Sequence, residues 1–515
     1  MRAKLLFFLA LLAAVAVKSQ TIFQKTYGKI PQDYGYTIQK TFDGAYVTAG
    51  LTNSYGGTNG LYLLKTDSLG DTLWMKGYAT NGIIYGYSVQ QTSDSGFIVA
   101  GNSGIIKTNA VGKVTWGVYY NGVLFYSARQ TFDGGYIIAG TVGNSSSSNG
   151  IDIYLLKLNP AGIKQWSKKL GGPLDDVSTC IRQTADSGYV SLGYTTSFGA
   201  GSNDIYLVKM NRNGDTLWTR TYGGTNFEGG TSNRQNLEIT SDSGFIIGSF
   251  TNSFGAGGND AYVIKTKSNG DILWTRTYGG NGNEAIYCIK PTSDGGYVFT
   301  GFTTSFGGGN NDIYVVKTNA AGDTLWTRAF GGANSDIGEG IEETSDKGFM
   351  IACSASSFGN GNNDVLLIKT NAAGNSSCNQ FYTATIVNST TSAIGNTSTG
   401  KIYITLNSNN LGPTYRGGGI VTNICTPNDI KNTAQENTSF TVFPNPTEGE
   451  FTLSFNEDHT GKIKVSLSNI LGDVIYSTVP CKDAVIHLPP GIANGIYFLK
   501  VEAEKTTVQQ IIINR

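Results

Sequence analysis

An aspartate-glycine hairpin motif that recurs along the chain constrains the fold more than any other feature. The stretch Thr292-Ser-Asp-Gly-Gly-Tyr-Val-Phe-Thr-Gly301 has counterparts whose aspartates are Asp43, Asp94, Asp133, Asp186, Asp242, Asp294 and Asp346. The repeat length is roughly 50 residues, except that Asp94 and Asp133 are closer, so the second unit is shortened. A unit of that size cannot bury its own apolar face, and stability must come from stacking unit on unit.

Each unit has the same internal order. A strand leads into the Asp-Gly-Gly or Asp-Ser-Gly turn, and a second strand follows, as in Tyr189–Gly193. A loop of the form Ser-Phe-Gly-x-Gly-x-Asn-Asp comes next, at 197–204, 253–260, 305–312 and 357–364. A third, apolar strand such as Ile205–Lys209 then turns into a fourth, Thr216–Tyr222. Glycine after aspartate or asparagine supplies the positive φ of a tight hairpin. The third strand lacks polar alternation, so both of its faces should be covered. The six tryptophans, Trp74, Trp116, Trp166, Trp218, Trp274 and Trp326, all fall in the fourth strand. They are read as wedges between neighbouring sheets, with sugar platforms as the alternative.

The seventh unit has Cys378 where tryptophan should stand, while Thr21–Gly28 copies a fourth strand, with Phe23 in the tryptophan place. A spare strand at one end and a missing one at the other imply a closed ring without exposed edges. The expected fold is all-β: a seven-bladed β-propeller over 21–378, its four-stranded blades closed by the N-terminal strand. The repeats resemble those of secreted bacterial β-propellers of the Bacteroidetes type. An open solenoid is the rival architecture.

Residues 1–20 have the form of a signal peptide: Arg2 and Lys4, then an apolar run from Leu5 to Val17 too short to span a bilayer. No other segment is long and apolar enough for a membrane helix. Lys+Arg and Asp+Glu balance at 37 each, which leaves no electrostatic footprint for nucleic acid. Six cysteines in an exported chain permit disulfides. Cys378 and Cys425 form the candidate pair, whereas Cys180 and Cys288 are expected buried and free.

Residues 379–437, rich in Asn, Ser and Thr with few charges, read as a linker with weak strand character. From 438 to 515 short alternating strands suit a small immunoglobulin-like β-sandwich. The motifs there are Phe443-Pro-Asn-Pro446 with Gly449, Asn469-Ile-Leu-Gly472, Leu488-Pro-Pro-Gly491, Gly495–Lys500 and Ile511–Arg515. Together they resemble the type A C-terminal sorting domain of the type IX secretion system. Its motif positions correspond to Pro444, Asn445, Pro446, Gly449, Gly472, Gly491, Gly495 and Tyr497. The resemblance implies export across the outer membrane by that machinery, removal of the domain, and a secreted or cell-surface product.

Both histidines, His459 and His487, lie in this last segment. The repeats therefore lack the commonest general base and metal ligand, and no catalytic residue is assigned. Five acids remain as candidate ligand contacts: Asp33, Asp176, Glu228, Glu284 and Asp336, each at a corresponding place between one unit and the next. They could ring a channel mouth and bind a sugar or a cation, or cap backbone amides and pin sheet to sheet. Asp204, Asp260, Asp312 and Asp364 of the long loops could similarly take calcium or cap their loops; no other cofactor is expected. The expected function is non-catalytic binding of a glycan or protein. A polysaccharide-acting enzyme using the five acids, and a structural surface component, are the alternatives. Ligand contacts are expected in the irregular stretches Asn81–Gly122 and Gly229–Leu237.

Overall fold

The computed structural model describes residues 21–53, 60–79, 85–143, 150–229, 236–376 and 378–390, together with the strands from 393 to 513. The segment read as a signal peptide lies outside the described residues. Two compact units divide the chain at 427.

In the first unit the Thr-x-Asp motif acts as a hairpin clamp. Thr292 donates its hydroxyl to Asp294 at 2.6 Å, the Gly296 N–H donates at 3.0 Å, and Lys317 from the third strand ion-pairs at 2.8 Å. The same lysine pairing occurs at Lys65–Asp43, Lys107–Asp94, Lys157–Asp133, Lys209–Asp186, Lys265–Asp242 and Lys369–Asp346. The residue after each aspartate takes a positive φ, yet only three of these seven are glycine. Ser95, Ser187, Ser243 and Lys347 adopt 62–66°, a conformation that the clamp imposes on residues that do not favour it.

The described strands of this unit form seven five-stranded antiparallel sheets, and no helix occurs among the described residues. The first strands are Asp33–Lys40, Ser88–Gln91, Val123–Gln130, Asp176–Gln183, Leu237–Ile239, Glu284–Pro291 and Asp336–Glu343; we number sheets 1 to 7 by them. Each first strand packs on the preceding sheet, and Asp33–Lys40 packs on sheet 7, so the contacts close into a circle. The middle strands are buried along their length, as in Asp204–Met210 and Asp312–Thr318.

Large aromatics fill the joints. Trp74, Trp116, Trp166, Trp218, Trp274 and Trp326 meet Phe97, Tyr136, Tyr189, Phe245, Tyr297 and Phe349 of the following sheet. Their ring centroids are 5.5–6.3 Å apart and the planes steeply inclined, the edge-to-face range of aromatic packing. Tyr78, Tyr222 and Tyr278 also donate their hydroxyls at 2.6 Å to Gly112, Gly270 and Gly322 in the next sheet. In sheet 7 the fourth strand is Phe23–Gly28, antiparallel to Asp364–Thr370.

The stretch read as a linker is a belt. Gln380–Tyr382, Ile386–Ser389, Ala393–Gly395, Gly400–Ile402, Ser408–Asn410, Thr414–Arg416 and Ile420–Cys425 add fifth strands to sheets 6, 5, 4, 3, 2, 1 and 7 in that order. Most of these pairings involve three or four residues. So short a strand shows no alternation, and its bonds come from backbone groups common to every residue, which is why composition suggests a linker.

In the second unit, Phe440–Phe443, Glu450–Phe455 and Val485–His487 form one sheet. Lys464–Ser468, Val474–Thr478, Gly495–Glu502 and Thr506–Ile513 form another. Phe451 and Ile486 share a core with Val465, Leu467, Leu499, Val501 and Ile513.

Candidate functional site

The five acids singled out from sequence occupy corresponding positions where one sheet passes to the next, but none faces solvent. Asp33, Asp176, Glu228, Glu284 and Asp336 are fully buried. Each accepts a backbone N–H four residues upstream, from Lys29, Gly172, Gly224, Gly280 and Gly332 at 2.7–2.9 Å. Most also hold the loop after the second strand. Ser197 and Thr251 donate hydroxyls to Asp176 and Glu228, Thr303 donates to Glu284, and the Ser356 and Ser357 amides donate to Asp336. A carboxylate so enclosed fastens a crossover loop and cannot ring an open mouth. The geometry is that of the capping alternative.

Asp204, Asp260, Asp312 and Asp364 are likewise at most 1% exposed and accept amides of their own loops, such as Gly201 N–H and Asn360 N–H. Among the described residues no group of three metal-ligating side chains exists.

The first strands, in contrast, bring side chains of different sheets together around the circle. In sheets 1, 3, 4, 6 and 7 the register slips by one residue, leaving Tyr36, Tyr126, Thr179, Tyr287 and Glu339 as the extra residues. A β-bulge re-aims its extra side chain. Tyr87 stands just before the first strand of sheet 2, its amide bonded to Ala100. Tyr36 meets Tyr87 at 5.8 Å and Tyr87 meets Tyr126 at 5.5 Å, a contact across three sheets. Tyr34 stacks on Tyr36 at 5.7 Å, and Tyr85 on Tyr87 at 5.3 Å with planes 5° apart. Tyr34, Tyr36, Tyr85 and Tyr87 are half-buried and Tyr126 is buried. Gly86 lets this cluster form, since a Cβ there would stand 2.5 Å from Leu61 and 3.0 Å from the Gly50 nitrogen.

Further along the same strands, charged side chains link sheets 4 to 7. Arg182 pairs with Glu238 at 2.9 Å, Lys290 with Glu238 at 3.0 Å, and Lys290 with Glu342 at 3.1 Å. Burial pushes the Glu238 carboxyl up, but Arg182 and Lys290 outweigh it and hold it far below the usual range. Burial lowers the neighbouring Arg129 to about 10, with the charge of Arg182 adding to the effect.

Tyr85 and Tyr87 fall in Asn81–Gly122, one of the stretches expected to hold ligand contacts, whereas nothing in that reading points to Tyr34, Tyr36 or Tyr126, although Tyr34-Gly-Tyr36 and Tyr85-Gly-Tyr87 repeat one pattern. Only the bulge and the ring of sheets bring them into contact.

Cys180, Cys288 and Cys353 are buried and free, whereas Cys378 is disulfide-bonded. The side chain of its candidate partner Cys425 lies outside those described. Its backbone pairs with Gln24, whose amide donates to the Cys378 carbonyl at 2.7 Å. Of the sorting-motif positions, Pro444, Asn445, Pro446, Gly449, Gly472 and Gly491 lie outside the described residues. Gly495 opens a strand, and Tyr497 on it packs on the core of the second unit.

Residues 441–514 match the family described as the secretion system C-terminal sorting domain. The chain thus carries a type IX sorting domain and is an exported, extracellular protein. No curated protein matches it. Among solved structures, a protein of unknown function from Bacteroides caccae aligns at 12% identity and a TM-score of 0.34, over 59% of this chain and 93% of that one. The extracellular domain of a "putative one component system" from B. thetaiotaomicron aligns at 10% identity and a TM-score of 0.39, over 96% of this chain and 58% of that one. At such scores neither likeness bears on what this chain binds.

Proposed function

We propose that this is a seven-bladed β-propeller exported by the type IX system, with an immunoglobulin-like sorting domain, and that it binds a glycan without transforming it. The contact surface is the tyrosine cluster of sheets 1 to 3. One observation carries this reading: Tyr34, Tyr36, Tyr85, Tyr87 and Tyr126 form a continuous aromatic group at and beside the first strands of sheets 1 to 3, four of them half-buried. Aromatic rings with accessible faces and a polar tip suit sugar rings, which present C–H groups on one face and hydroxyls at the edge. The non-catalytic part of the reading is supported by the enclosure of the crossover acids, which leaves them no contact with a substrate.

The test is binding of the 21–427 unit to a panel of surface and host polysaccharides, compared with Tyr36→Ala and Tyr87→Ala. We expect saturable binding that falls at least tenfold in each variant while the melting temperature holds within a few degrees. Undiminished binding in both variants, or release of reducing ends by the wild type, would overturn the proposal.

A further inference from the structure

Three crossovers, between sheets 4 and 5, 5 and 6, and 6 and 7, each hold two buried carboxyl groups against each other: Asp204 with Glu228, Asp260 with Glu284, and Asp312 with Asp336; Asp364 and Asp33 crowd Gly28 in the same way at the joint of sheets 7 and 1. Each of the three pairs closes on a glycine at the end of the preceding fourth strand, Gly223 and Gly279 as its last residue and Gly331 just after it. A Cβ on Gly279 would lie 2.2 Å from Asp260 Oδ1 and 2.4 Å from Glu284 Oε2; on Gly223 the distances are 2.2 and 2.5 Å to Asp204 Oδ1 and Glu228 Oε2. On Gly331 they are 2.1 and 3.1 Å to Asp312 Oδ1 and Asp336 Oδ2. All six acids are at most 1% exposed.

Hydrogen-bond accounting leaves one oxygen over. Asp260 Oδ2 accepts the Ala256 and Gly257 amides, and Glu284 accepts the Gly280 amide and the Thr303 hydroxyl. Asp260 Oδ1, the oxygen toward the partner acid, is buried without a hydrogen-bond partner, as is Asp312 Oδ1. Buried polar atoms are seldom left so.

Sheets 3 and 4 provide an internal comparison. There the corresponding acids are Asp152 and Asp176, which crowd Gly171 in the same way. That pair has a cation built in, because Lys169 ion-pairs with Asp152. The residue two before the glycine, lysine at 169, is Thr221, Thr277 or Ala329 at the other three.

We infer that each of these three pairs binds one proton, carried by the aspartate and donated to the facing carboxylate, so that the crossovers are acid-stabilised latches between sheets. A proton suits the site better than a metal ion. The surrounding loop groups are N–H and O–H donors, whereas calcium requires six to eight oxygens. Burial pushes the Asp312 carboxyl up to about 6, with Asp336 adding to it against the Gly309 amide. Asp204 and Asp260 are raised in the same way, Glu228 and Glu284 contributing after burial.

Titratable groups that face these pairs among the described residues include Tyr314, beside Glu284 and Asp260, and Cys353, beside Asp336. Burial raises both, which keeps them neutral in the acid range. Among the described residues no lysine or arginine ion-pairs with the six acids. The folded chain therefore holds protons that the unfolded chain, with aspartates at 3.8, releases. For the Asp312 pair stability is greatest below that value, falls as pH rises through about 6, and levels off above; the Asp204 and Asp260 pairs shift stability in the same direction.

The test is the melting temperature of the full chain from about pH 4.5 to about pH 7.5, for wild type and for the Asp260→Asn, Asp312→Asn double variant. An asparagine amide donates to the facing carboxylate at every pH. We expect the wild type to lose several degrees across this range and the variant to show a flatter profile. A second readout, needing no variant, is the infrared difference spectrum, in which bands of buried protonated carboxyls should vanish as pH rises. A pH-independent melting temperature without such bands overturns the inference. So does a wild-type shift at fixed pH on adding calcium or a chelator, which would assign the sites to a metal ion.

Discussion

Phe23 stands in register with Lys369, so the first described strand of the chain is the fourth strand of the last sheet. Phe23 and Tyr27 are both buried there, and the Tyr27 hydroxyl donates to Gly70 in sheet 1 at 2.5 Å. Removing residues 21–28 should cost about 5 kcal/mol from the two aromatic side chains alone and open a sheet edge to self-association. Chemical denaturation and sedimentation would show both effects, and a synthetic 21–28 peptide added in trans should reverse them in part. A monomer of unchanged stability would refute the closure.

Each hairpin clamp rests on a carboxylate that is held ionised. Burial pushes Asp294 up, but Lys317 and the Thr292 hydroxyl outweigh it and bring it down to about 2 from 3.8. With the folded value depressed, its contribution is complete above pH 3.8 and disappears as pH falls through 2. Asp294→Ala removes the partner of a buried ammonium and should cost about 1–3 kcal/mol at neutral pH. The variant should also lose less than the wild type on acidification below pH 4. Urea titrations at neutral and acid pH check both statements.

Ser187 and Ser243 hold φ of 62° in turns where Gly44, Gly134 and Gly295 hold 77–83°. Left-handed backbone is unfavourable for residues with a Cβ. Ser187→Gly and Ser243→Gly should each raise stability, by about 0.5–1 kcal/mol, which thermal unfolding would measure. A loss in both would mean that the serine side chains contribute more than the strain they carry.

The belt predicts a difference between two fragments. In 21–427 the outer strands are paired on both sides, Tyr278 for example with Ala261 and Val387. In 21–378 those outer edges are bare. Hydrogen exchange of outer-strand amides should quicken in the shorter fragment, and its tendency to associate should rise. Equal protection in both would mean that the belt is dispensable.

The recurrence of Thr-x-Asp-x-Gly, the tryptophan spacing and the orphan strand at Thr21–Gly28 made the strand order, the hairpins and the closing strand legible, because local turn chemistry and side-chain size encode them. The sorting motifs were legible for the same reason: they are contiguous. Other features depend on which groups meet after the sheets have circled. The belt bonds through backbone atoms that any residue possesses. Enclosure of Asp33, Asp176, Glu228, Glu284 and Asp336 depends on loops from the adjacent strands closing over them. The contact of Tyr36 with Tyr87 and Tyr126 requires the starts of sheets 1, 2 and 3 to converge at one place. The sequence by itself thus determined the repeating unit and its order. Only the tertiary structure decided which carboxyl groups are hidden and which rings are shared between sheets, since burial and proximity are properties of the assembled circle and not of any single repeat.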